Sequence, residues 1–97
     1  MSSKPKYTIV ERFFLKKGEI EQILNLPTGS RILSVIEHNN RIALYALVNP
    51  KEFNTEIWTI YVQGSGFPSP FLQSSIFLGT IKLDDGNNIF HIFYTKN

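Results

Sequence analysis

Apolar positions along this chain come in short runs rich in Ile, Val, Leu, Phe, Tyr and Thr, cut by Gly, Pro, Asn and Asp. The runs predict strands over 7–15, 20–26, 31–37, 41–48, 56–63, 76–83 and 88–94. Within "EIWTIYVQ" the alternation puts Trp58, Ile60 and Val62 on one face and Ile57, Thr59 and Tyr61 on the other. Within "NIFHIFYT" it divides Phe90, Ile92 and Tyr94 from Ile89, His91 and Phe93. Both faces of these strands are largely apolar, as are those of "RIALYALV", so each face asks for a cover. With no helix expected, a second copy of the chain is an attractive cover, and a homo-oligomer is expected. One stretch, "KKGEIEQILNLP", also fits a helical face through Ile20, Ile23, Leu24 and Leu26, but Pro27 and its short length favour a strand. "HNNR" and "DDGN" read as hairpin turns, because Asn and Gly accept the positive φ that tight hairpins require. Seven short strands spaced about 12 residues apart predict an all-β fold, a small antiparallel β-sandwich or barrel.

Ninety-seven residues suit one domain, 1–97, with a flexible N-terminus over 1–6. Aromatic residues make up 13% of the chain, eight of them Phe, which favours strands and leaves rings for a ligand or partner. The chain has no cysteine, which excludes disulfides, thiolate metal sites and a cysteine nucleophile, and fits a reducing compartment. No signal peptide and no membrane-spanning run is read, so a cytoplasmic location is expected and no membrane is involved. The net charge of +2 is too small to argue for nucleic acid, which is not an expected partner. The first 17 residues nevertheless hold Lys4, Lys6, Arg12, Lys16 and Lys17 against Glu11 alone. This basic end is a solvated edge strand or a patch for an anion.

The chemistry-bearing candidates are few. "QGSGFPSPFLQ", 63–73, has no Gly-Lys-Ser/Thr and no following helix, so it is neither a phosphate loop of the Walker kind nor a dinucleotide fingerprint. Gly64, Ser65, Gly66 and Phe67 would either let a ligand approach the backbone or form a wide turn, with Phe67 or Phe71 plugging the end of the sandwich. Arg31 and Arg41, at the ends of a hairpin, are placed to meet phosphate or carboxylate. Tyr45, Trp58 and Tyr61 are stacking candidates, with Trp58 better suited to the core. His38 falls at a turn and His91 mid-strand. The histidines do not form a metal-ligand set, no carboxylate pair suits acid–base work, and no nucleophile elbow is present. No cofactor, no metal and no catalytic residue is expected.

Three stretches together resemble a family of small uncharacterised domains from phage and bacterial genomes: "LPTGSRILSV", "ALYALVNP" and "YVQGSGFP…FLGTIKL…NIFHIFY". The matching positions are Leu26-Pro27, Gly29, Ile32-Leu33, Ala46 to Pro50, Gly64, Gly66, Gly79-Thr80, and His91 with Phe93, about three quarters of the chain. Ser65 stands where that pattern has Thr, and Phe67 where it has His. The resemblance implies a phage-linked cytoplasmic protein without established activity. By analogy at the level of class, some small phage β-proteins inhibit host defence by sequestering cyclic-nucleotide signals. The expected function is therefore a non-enzymatic, oligomeric binding protein for a small anionic ligand such as a cyclic dinucleotide. Its site would be drawn from Arg31, Arg41, Tyr45, Tyr61, Gly64, Ser65, Gly66, Phe67 and His91. The alternatives are a module that blocks a host protein, a small virion component and, more distantly, a hydrolase of the signal.

Overall fold

A computed structural model describes residues 8–70 and 72–97. The basic residues Lys4 and Lys6, the expected flexible segment 1–6 and the proposed plug Phe71 lie outside the described residues. Seven strands form: β1 (Ile9–Leu15), β2 (Glu21–Pro27), β3 (Arg31–His38), β4 (Arg41–Val48), β5 (Thr55–Gly64), β6 (Ile76–Leu83) and β7 (Asn88–Lys96). They make two antiparallel sheets, a three-stranded one in the order β1-β4-β3 and a four-stranded one in the order β2-β5-β7-β6. The fold is all-β and sandwich-like, with two one-turn 3₁₀ segments and no α-helix among the described residues. Among the described residues, no helix is long and apolar enough to cross a membrane.

The segment that competed for helix is β2. Leu24 and Leu26 point inward and Ile23 outward, the two-residue period of a strand. Pro27 closes β2, an edge strand, where a missing N–H breaks no ladder. Between the sheets lies one core, built on Leu26, Ile32, Ile42, Leu44, Val48, Ile60, Val62, Ile81, Leu83 and Ile92. Each fully buried side chain of this kind contributes about 1.5–3 kcal/mol. Trp58 belongs to this core and its buried indole N–H has no partner. Phe90 and Tyr94 pack against the core from β7. At the β3/β6 edge the sheets approach closely. A Cβ on Gly79 would stand 2.9 Å from Val35 Cγ1.

The two expected hairpins form. Asn39 and Asn40 take φ of 49° and 61° between β3 and β4, and Asp84, Asp85 and Gly86 take φ of 53°, 54° and 86° between β6 and β7. The two turns belong to different sheets and are tied together. The Asn40 amide donates to Asp84 Oδ1 at 2.8 Å, and the Asp84 N–H donates to Asn40 Oδ1 at 2.7 Å. Asn88 also donates to Asp84, and Lys17 Nζ lies 3.6 Å from its carboxylate. The hydrogen bonds from Asn40 and Asn88, with help from Lys17, hold the Asp84 carboxyl below the ordinary Asp value of 3.8.

The connection from β5 to β6 is unexpected in its direction. β5 and β6 are both antiparallel to β7, so they run parallel to each other with β7 between them. The chain leaves β5 at Gly64, level with Phe90 and Ile81, and must re-enter at Ile76, level with Tyr94 and Ile60. That is a return of about four residues, roughly 13 Å. It begins over the outer side of the sheet, because the outward Gln63 amide donates to the carbonyl of Phe67 at 2.5 Å. "QGSGFPSPFLQ" is thus a crossover rather than a turn at the sandwich end. Phe67 is no plug, being 70% exposed. On this outer side Thr59, Tyr61 and Gln63 are buried, so part of the two-sided apolar character of β5 is met within the chain.

Candidate functional site

The residues singled out in the sequence separate onto the outer faces of the two sheets. Arg31, Arg41 and Tyr45 belong to the three-stranded sheet. β4 turns Ile42, Leu44, Ala46 and Val48 into the core, which leaves Arg41, Ala43, Tyr45 and Leu47 outward. Cross-strand pairing places Arg31 beside Leu47, Ser34 and Arg12 beside Tyr45, Phe14 and Ile36 beside Ala43, and His38 beside Arg41. Ala43 is fully buried because its larger neighbours close over it.

This face carries three guanidinium groups and two aromatic rings. The Phe14 ring is flanked by two of the cations, with Arg41 Cζ 3.5 Å and Arg12 Cζ 4.7 Å from its centroid. The His38 ring lies 6.0 Å from Phe14, tilted by 36°. Arg12 Nη1 is 3.3 Å and the Asn39 amide 3.4 Å from His38 Nε2. Arginine has no acceptor, so that nitrogen accepts and the ring proton sits on Nδ1. None of the ion pairs among the described residues involves Arg12, Arg31 or Arg41; the pairs are Lys16–Glu19, Lys17–Asp84 and Lys96–Glu56. Arg12, Phe14 and His38 were missed as site residues in the sequence. Their signal was the alternation of β1, "VERFF", which puts Arg12 and Phe14 on one side of a strand whose partner could not be named from sequence.

Tyr61, Gly64, Ser65, Gly66, Phe67 and His91 belong to the four-stranded sheet. Tyr61 is 7% exposed, which leaves little of its ring for a ligand, while Tyr45 is half-buried. Pairing sets Gln63, His91 and Thr80 in one outward row across β5, β7 and β6. Ser65 follows β5 and folds back onto this row. Its Oγ lies 2.8 Å from His91 Nε2, and His91 Nδ1 lies 3.0 Å from Thr80 Oγ1. Gly66 has φ +86°, which a residue with Cβ adopts only under strain, and Gly64 packs under the Phe67 ring. A groove of about 310 Å³ opens beside Ser65, between Phe67 and the stretch 87–90. Asp84 and Asp85 lie in the other turn-side groove with Val35, Asn40 and Lys82, outside the hydrogen-bond chain of His91. The nine expected residues therefore form two groups, one on each sheet.

The chain is thus a small all-β domain, a seven-stranded, two-sheet sandwich with a basic, aromatic outer face on one sheet and a Ser–His–Thr hydrogen-bond chain on the outer face of the other. A family model, that of a domain of unknown function (DUF7352), matches residues 7–97, and the chain belongs to this family. No curated protein and no solved structure gives a significant match.

Proposed function

We propose that the protein binds and sequesters a small, phosphate-bearing, ring-containing ligand, without altering it, on the outer face of the β1-β4-β3 sheet. The observation that carries this reading is that Arg12, Arg31 and Arg41 share one outer face with Phe14 and Tyr45, Arg12 and Arg41 lying against the Phe14 ring, and that none of the three has a carboxylate partner among the described residues. Guanidinium groups meet phosphate oxygens through charge-assisted hydrogen bonds, and the flat rings supply a stacking surface. A cyclic dinucleotide has both chemistries in one molecule. In a phage-infected cell, its capture would withhold the signal from host defence. Arg31, Arg41 and Tyr45 keep the roles expected of them, joined by Arg12, Phe14 and His38. The face offers no nucleophile–base pair, so a captured ligand would be released unchanged.

Titration with a panel of cyclic dinucleotides, read by calorimetry and thermal shift, tests this. Arg12→Ala and Arg41→Ala should each weaken binding at least tenfold, about 1.4 kcal/mol. Affinity should fall as salt is raised, and heating the complex should return intact ligand. No ligand-dependent shift across the panel, or affinity unchanged in both variants, overturns the reading.

A second reading, a protein-interaction surface or a contact between copies of the chain, is favoured by the outer face of the other sheet. There Ile23, Ile57, Phe67 and Phe77 are each between 45% and 70% exposed. Light scattering distinguishes the two readings, since an assembly through this face should be lost in Phe77→Ser while ligand affinity is kept.

A further inference from the structure

The chain Ser65–His91–Thr80 has the connectivity of an activated serine. A hydroxyl lies within hydrogen-bond reach of an imidazole nitrogen, and a third group holds the other nitrogen. In the tautomer with the ring proton on Nδ1, His91 would donate to Thr80 Oγ1 and leave Nε2 to accept the Ser65 proton. Three different segments supply these groups, namely the crossover, β7 and β6, so their meeting is not a local accident of one turn. Ser65 is exposed and is held at its backbone, where its N–H donates to the carbonyl of Ile89 at 3.3 Å. The next N–H, that of Gly66, enters no hydrogen bond among the described residues and is a donor available for a carbonyl oxygen. The adjoining groove has an apolar side, Phe67, Ile89 and Phe90, and a polar side, Asn87 and Asn88.

We propose that Ser65 is an acyl-accepting nucleophile with His91 as its general base and Thr80 as a positioning residue, and that the substrate class is a short-chain or aromatic acyl ester. This site is on the opposite face from the arginines and does not rest on the binding reading given for them. The Ser65 Oγ bonds to the ester carbonyl carbon as its proton passes to His91 Nε2. The carbonyl oxygen takes the negative charge beside the Gly66 N–H. The bond from carbon to the alcohol oxygen then breaks, and the alcohol leaves with the proton from Nε2. Water repeats the sequence on acyl-Ser65, giving the free acid and restoring the hydroxyl. Thr80 touches no substrate and acts by fixing the ring and its tautomer.

The test uses the full chain with two probes, a fluorophosphonate ester and p-nitrophenyl acetate. Intact-mass measurement should show one adduct per chain from the fluorophosphonate, with loss of fluoride, and peptide mapping should place it on Ser65. Release of p-nitrophenolate should fall at least tenfold in Ser65→Ala and in His91→Asn, with the strand signal in circular dichroism unchanged. Thr80→Val keeps both reacting groups. It should slow release and move the midpoint of the pH–rate profile, whereas a purely structural Thr80 would lower the melting temperature and leave that midpoint in place. No adduct on the folded wild-type chain, an adduct on another residue, or equal release by wild type and folded Ser65→Ala overturns the proposal. Should a variant not fold, the mapping on the wild-type chain alone decides the matter.

Discussion

At the scale of single residues, Gly79 is a position where the two sheets come close together. An added Cβ would meet Val35 Cγ1 at 2.9 Å, and a β-branched side chain packed against the core has little freedom to turn away. Gly79→Ala should therefore destabilise the fold by about 1–3 kcal/mol, as overpacking does. Val35→Ala in the same chain should recover part of that loss. Urea denaturation of the two single variants and the double variant checks this, and strict additivity would show that the contact is not the cause. Residue-level roles were unevenly legible. Alternation sorted Trp58, Ile60 and Val62 onto one face of a strand that is apolar on both sides, without telling which side was the core; Trp58 was expected there and is buried, and Ile60 and Val62 go with it. The partners of His91 were not legible, because Ser65 and Thr80 reach it only through a crossover and a register that local pattern does not encode. The exposure of Phe67 was misread for a related reason. Its hydrophobicity suggested a plug, but the chain passes over a face there instead of ending a layer.

At the scale of elements, the two hairpin turns fastened through Asn40 and Asp84 make stability sensitive to acid. The Asp84 carboxyl is held below the ordinary value of 3.8, so the folded state favours its charged form. This contribution is fully present above that value and is lost as pH falls through the lower, folded-state value. The difference in melting temperature between wild type and Asp84→Asn should be widest above pH 3.8 and close below it. A difference independent of pH would mean that Asp84 acts through its shape alone. Both turns were legible from their Asn, Asp and Gly residues, since few other residues tolerate positive φ. Their attachment to each other was not, because it joins residues 40 and 84 across two sheets. Element boundaries were legible to within one or two residues, as with β2, expected at 20–26 and found at Glu21–Pro27. The path between β5 and β6 was not, since turn chemistry shows where a chain leaves a strand but not how far it must travel back.

At the scale of the whole molecule, the all-β class was legible from the number and spacing of strands, which left sandwich and barrel open, but the order of strands within each sheet was not. That order decides what the surface offers. It gathers Arg12, Arg31 and Arg41, far apart in sequence, on one face, and it parts Tyr45 from Tyr61. It also places β7 between two strands made before it, and this governs how the molecule can come into being. β5 and β6 hydrogen-bond not to each other but to a strand still to be synthesised, so their facing edges stay open until residues 88–96 have emerged from the ribosome. Local hairpins can form early, yet closing the four-stranded sheet requires pairing Gly64 with Phe90 and Trp58 with Lys96, contacts of long sequence separation that slow folding. A chain cut before residue 88 should accordingly show little strand signal in circular dichroism and should aggregate, rather than persist as a smaller sandwich. β7, translated after both of the strands it joins, works as the keystone, and any delay in its arrival is a period in which nascent chains present complementary open edges to one another.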